Sequence, residues 1–96
     1  MQTVTNISIR RDKIICSDHA GDKVACAMLT ALTVSLVDNL INRLNDKVDC
    51  TLDKGLFVLN FERNRISPAS NVLIDSYIYS LHKLTESYPE NFKIDM

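Results

Sequence analysis

Residues 14–37 read Ile14-Ile-Cys-Ser-Asp-His-Ala-Gly-Asp-Lys-Val-Ala-Cys26-Ala-Met-Leu-Thr-Ala-Leu-Thr-Val-Ser-Leu-Val37. The pattern changes halfway along. Ile14 to Ser17 suits a short strand. Asp18 to Asp22 carries turn formers at both ends and reads as a loop. Beyond it, Cys26, Leu29, Leu36, Val37, Leu40 and Leu44 fall at helical spacing, which predicts a helix from about 23 to 45 with Asp22 as N-cap. Val24, Ala27, Met28 and Ala31 make the other side of its first half apolar as well. Such a half-helix needs two covers: its own sheet and something else, for which a second subunit is the natural candidate.

Reading outward, Thr5, Ile7 and Ile9 alternate within Thr3 to Arg10 and predict a strand. Arg11-Asp12-Lys13 is the tight connection of a hairpin. Val48, Cys50 and Leu52 alternate with Asp49, Thr51 and Asp53, a half-buried strand. Asp53-Lys54-Gly55 is its turn, and Leu56 to Phe61 returns. Ser67-Pro68 opens a second helix with Ser as N-cap and Pro at the first helical position. Its stripe is Ile74, Tyr77, Ile78, Leu81, Thr85 and Tyr88, and Pro89 stops it. Phe92 to Ile94 adds a short edge strand. The order β-β-α-β-β-α-(β) predicts an α+β fold, a mostly antiparallel sheet packed with two helices. The 96 residues are enough for a single domain, 1–96.

Composition excludes several classes. A formal net charge of −1, from 11 basic and 12 acidic residues, gives no global attraction to nucleic acid or anionic lipid. The local clusters Arg10-Arg11-Lys13 and Arg63-Arg65 read as solvated turns. Three cysteines without a C-x-x-C pair argue against a disulfide framework and for a reducing compartment. The start Met1-Gln2-Thr3-Val4 has no basic region before an apolar run, so no signal peptide is expected. The uncharged run Val24–Val37 falls short of the about 20 residues a bilayer requires. No four-ligand zinc spacing and no glycine-rich phosphate loop occurs, so neither metal nor cofactor is expected.

Chemistry concentrates in Ser17 to Cys26. A histidine follows a strand, and seven residues later a cysteine lies near a helix start. Helix starts present unpaired N–H groups and partial positive charge, which favour a thiolate and can hold an oxyanion. A nearby imidazole can accept the thiol proton and return it to a leaving amine. Gly21 allows close backbone approach. A plainer reading competes: cysteine is a common core filler, and Cys26 lies on the stripe facing the core. Cys16 and Cys50 read as core fillers, and His82 as solvated.

His19-Ala20-Gly21, with Val24-Ala25-Cys26-Ala27-Met28-Leu29-Thr30-Ala31-Leu32, resembles the Prp family of ribosomal-processing cysteine proteases. Leu84-Thr-Glu-Ser-Tyr-Pro-Glu90 resembles that family's ending of the second helix. The resemblance implies a bacterial cytoplasmic peptidase and homodimer that removes a short N-terminal extension from a large-subunit ribosomal protein during ribosome assembly. It places Cys26 as nucleophile and His19 as base, with Asp22, Thr30 and Gly21 in support. Thr30 stands where the family usually has serine. Three departures stand out. Asp18 replaces a glycine, the His–Cys loop is shorter, and Lys23 occupies the place of an aspartate. They leave open an alternative, a weak or inactive homologue that binds during ribosome assembly.

Overall fold

The alternating residues of the N-terminal segment form β1, Thr5–Ile9, with Thr5, Ile7 and Ile9 buried. A computed structural model describes residues 4–96; the first three residues, including the Thr3 expected to open β1, lie outside the described residues. Then follow β2 (Lys13–Ser17), α1 (Lys23–Asp38), β3 (Asp49–Asp53), β4 (Leu56–Asn60), α2 (Pro68–Ser87) and β5 (Phe92–Asp95). The fold is α+β in the order the sequence predicts. The sheet runs β3-β4-β2-β1-β5. Three strand pairs are antiparallel, and β5 lies parallel to β1 at the edge.

Both helices are crossover connections. The pairings make β2 parallel to β3, and β4 parallel to β5. α1 joins the first couple moving one way across the sheet, and α2 joins the second moving the other way along oppositely directed strands. Right-handed crossovers therefore put both helices on one face. That face carries Ile7, Cys16, Phe57 and Leu59, all buried, and Tyr77 of α2 meets Phe57 edge to face at 6.2 Å between ring centroids.

The helices differ from expectation in detail. α1 is α-helical only to Asp38 and closes with a π-turn, Asn39–Arg43. Asn45, with φ of 54°, then reverses the chain. Counted together the helix has 21 residues, long and apolar enough to cross a bilayer, which the uncharged run alone does not indicate. Here Ala25, Thr33, Leu36 and Leu40 seat it in the core. The burial of Ala25 and Thr33 turns the inner face slightly away from the expected stripe. On α2, Ser70 and Leu84 are buried, while Thr85 is half-buried, its hydroxyl donating back to the Leu81 carbonyl. The half-buried face expected of β3 holds at Val48 and Cys50, which pack against the core, and fails at Leu52, which is 56% exposed.

The second helix start is tied to the end of the first. Ser67 accepts from the Ser70 amide as N-cap. The Asp46 carboxylate accepts from the Ser70 hydroxyl, the Ser67 hydroxyl at 2.7 Å and the Ser67 amide. These bonds, Ser70 first and then Ser67, hold the Asp46 carboxyl below the usual carboxylate range. Its contribution to stability is therefore present above the unfolded-state pKa and fades as pH falls through the lower folded value. Asp46→Asn should lower Tm at pH 7, with the gap from wild type closing as the pH is taken down; a gap independent of pH contradicts this role.

Candidate active site

β2 ends at the same end of the sheet as the β3–β4 turn, because Ser17 pairs with Leu56. The chain leaving β2 therefore meets Asp53-Lys54-Gly55. Asp18 takes the left-handed conformation, φ 70°. Aspartate is among the non-glycine residues that tolerate this region. The Asp18 amide donates to the Gly55 carbonyl at 2.7 Å, and the buried Thr5 hydroxyl donates to the Asp18 carbonyl at 3.0 Å. Gly55 is also left-handed, φ 67°, and a Cβ there would lie 3.2 Å from His19 Nε2. The His19 ring therefore rests over the α-carbon of the turn.

The helix start is built as the sequence predicts. Asp22 caps α1 by accepting from the Ala25 amide at 2.9 Å, and its carbonyl accepts from the Cys26 amide at 2.9 Å. The first two helical residues, Lys23 and Val24, have no intrahelical carbonyl within reach of their amides. Cys26 lies in the turn just beyond and is half-buried. Its side chain leans toward the helix start, as helical side chains do.

An open cavity of about 450 Å³ separates α1 from the end of the β3–β4 hairpin. Cys26 and His19 both border it, with Leu29, Leu52, Leu56 and Phe57 as apolar walls. No hydrogen bond joins the Cys26 sulfur to the His19 ring among the described residues, so the two share a cleft without being locked together. His19 itself is exposed.

The remaining expected site residues have other duties. The Asp22 carboxylate caps the helix, and the Thr30 hydroxyl donates to the Cys26 carbonyl at 2.9 Å. Both act on the helix that carries Cys26. Gly21 has no positive φ; the glycine whose conformation is demanded is Gly55. The Asp18 carboxylate accepts from Asn6 at 3.4 Å. Sequence reasoning missed Thr5, Gly55, Leu52 and Leu56. The turn pattern around Gly55 was visible, but nothing in it indicates that a histidine 36 positions earlier would rest there.

The other two cysteines are of a different kind. Cys16 is buried, its sulfur 3.8 Å from the Tyr77 hydroxyl, which also shares a 2.8 Å hydrogen bond with Thr33. Burial pushes the Cys16 thiol up to about 11, partly offset by the Tyr77 contact. Burial also raises the Cys50 thiol. The thiolate is the reactive form. Iodoacetamide at pH 7 should therefore alkylate Cys26 well before Cys50 and Cys16 in the folded protein, with peptide mass spectrometry as the readout; equal labelling contradicts this assignment of environments.

An α+β domain with an open, apolar cleft beside a helix start is the class these features define. Among solved structures, the chain superposes on the ribosomal-processing protease Prp of S. aureus bound to a covalently linked product peptide, with TM-score 0.79 and 20% identity over 97% of both chains. The same protease with a substrate peptide gives TM-score 0.79 and 18% identity, again over 97% of both. A Streptococcus mutans protein matches with TM-score 0.76 and 18% identity, over 98% of this chain and 92% of its own. No family model matches the sequence, and no curated protein matches it. The chain thus has the Prp fold over nearly its whole length.

Proposed function

We propose that the protein is a cysteine endopeptidase of the Prp type, 1–96 forming its single domain, that removes a short N-terminal extension from a large-subunit ribosomal protein in the cytoplasm. The observation that carries this reading is that Cys26 and His19 border one apolar-walled cleft. Its support is the shared fold with a protease whose structures hold a substrate peptide and a covalently linked product peptide.

The chemistry follows from the placement. An extended peptide enters between α1 and the hairpin. His19 turns from its rest over Gly55 across the cleft and takes the Cys26 proton. The thiolate attacks the scissile carbonyl, and the oxyanion is met by the amides of Lys23 and Val24 at the helix start. The tetrahedral adduct collapses, the C–N bond breaks, and the imidazolium protonates the leaving amine. Water, deprotonated by His19, then hydrolyses the thioester and frees the thiol. No metal or cofactor is called for.

Incubation with the precursor of that ribosomal protein tests the reading. Wild type should release the N-terminal segment and Cys26→Ala should not, followed by mass spectrometry. Binding by both without cleavage by either favours the alternative, an inactive homologue that binds during ribosome assembly. The missing Cys26–His19 hydrogen bond is the observation on that side.

The protein is also proposed to work as a homodimer. Val24, Met28 and Val34 are 59%, 45% and 47% exposed along α1, with Ala27 and Ala31 exposed between them. A second copy would supply the outer cover that the apolar half-helix lacks. Light scattering should give twice the chain mass for wild type and the monomer mass for Met28→Glu; a monomeric wild type overturns the dimer.

A further inference from the structure

We propose that Thr5 and Asp18 are positioning residues for His19, and that Gly55 is the platform on which its ring rests. The proposal deepens the peptidase reading, and rests on it for its kinetic consequence.

His19 has no hydrogen bond of its own to hold it, among the described residues. Its side chain leaves a loop between β2 and the cap of α1, and it is exposed. What fixes its direction is the residue before it. The peptide plane leading into His19 is held at the Asp18 carbonyl by Thr5, whose hydroxyl is on a side chain only 1% exposed. One plane earlier, the chain is held at the Asp18 amide by Gly55. Between these two bonds Asp18 is left-handed, which turns the chain sharply as it leaves β2. The result is a histidine aimed back over the hairpin turn, its Nε2 and Cδ2 at 3.2 and 3.4 Å from the point a Cβ at position 55 would occupy. Any larger residue at 55 would meet both a left-handed backbone and the ring.

The Asp18 side chain is not the device. Its carboxylate faces Asn6 and makes no hydrogen bond to the His19 ring among the described residues. What matters at position 18 is a residue able to adopt positive φ. A carboxylate usually orients a catalytic imidazole in a triad; here the orientation comes from backbone geometry anchored on β1 and the hairpin.

Two pairs of variants test this. Thr5→Val removes the hydroxyl and Thr5→Ser keeps it. Asp18→Val, at an exposed position, forbids the left-handed conformation by β-branching, and Asp18→Gly permits it. The direct readout is the NMR cross-relaxation between His19 Hδ2 and the Gly55 α-protons, taken alongside Tm. Wild type, Thr5→Ser and Asp18→Gly should keep it, and Thr5→Val and Asp18→Val should lose it. On the peptidase reading the two disruptive variants also lose roughly a hundredfold in kcat with KM little changed, the scale on which an ångström of displacement is felt. Unaltered cross-relaxation in Asp18→Val and Thr5→Val overturns the proposal. Altered cross-relaxation in a protein that cleaves nothing would leave the positioning intact and remove the peptidase reading instead.

Discussion

The pairing of β2 with β4, Ser17 opposite Leu56, governs where the rest of the molecule goes. It places β4 between β2 and β3, so both helices must be crossovers, and their common handedness puts them on one face. It also brings the exit of β2 against the β3–β4 turn. The His19 loop, the start of α1 and Gly55 thereby meet at one end of the sheet. The cleft is a consequence of that register: a slip of one residue in β4 would turn Phe57 and Leu59 outward and move the turn away from Asp18.

The helical layer is narrower than the sheet. The helices leave the turn end of the β3–β4 hairpin open, with Leu52 56% exposed and Leu56 39% exposed beside it. Leaving such surface in water forgoes roughly 25 cal/mol per Å² of apolar burial. A chain of 96 residues has little stability to spare. That apolar surface lies open next to a half-buried cysteine and an exposed histidine. Deeper in, Tyr77 joins Thr33 of α1 to Cys16 of β2, which ties the floor of the cleft across both layers.

Much of this was legible in the sequence, and the parts that were not share a cause. Local signals with a local mechanism were readable: Asp22 as the cap of α1, Ser67-Pro68 at the start of α2, the turn at Asp53-Lys54-Gly55, and alternation in β1. Burial at the sheet edge was not. The period of Val48, Cys50 and Leu52 says which residues share a face, but not that cover reaches Val48 and Cys50 and stops short of Leu52. The candidate pair His19 and Cys26 came from a strand–loop–helix junction, again local. Thr5 and Gly55, far from His19 in sequence, join it only through strand pairing, which a single sequence does not reveal. Asp18 stood out as the replacement of a glycine, and a left-handed backbone, the property glycine supplies most freely, is what the structure uses there.

The central claim is that His19 and Cys26 act on each other across the cleft. The pH dependence of Cys26 alkylation, compared between wild type and His19→Ala, tests it most directly. An interacting pair predicts faster alkylation in wild type than in His19→Ala, with profiles of different shape. Superimposable profiles would contradict the account.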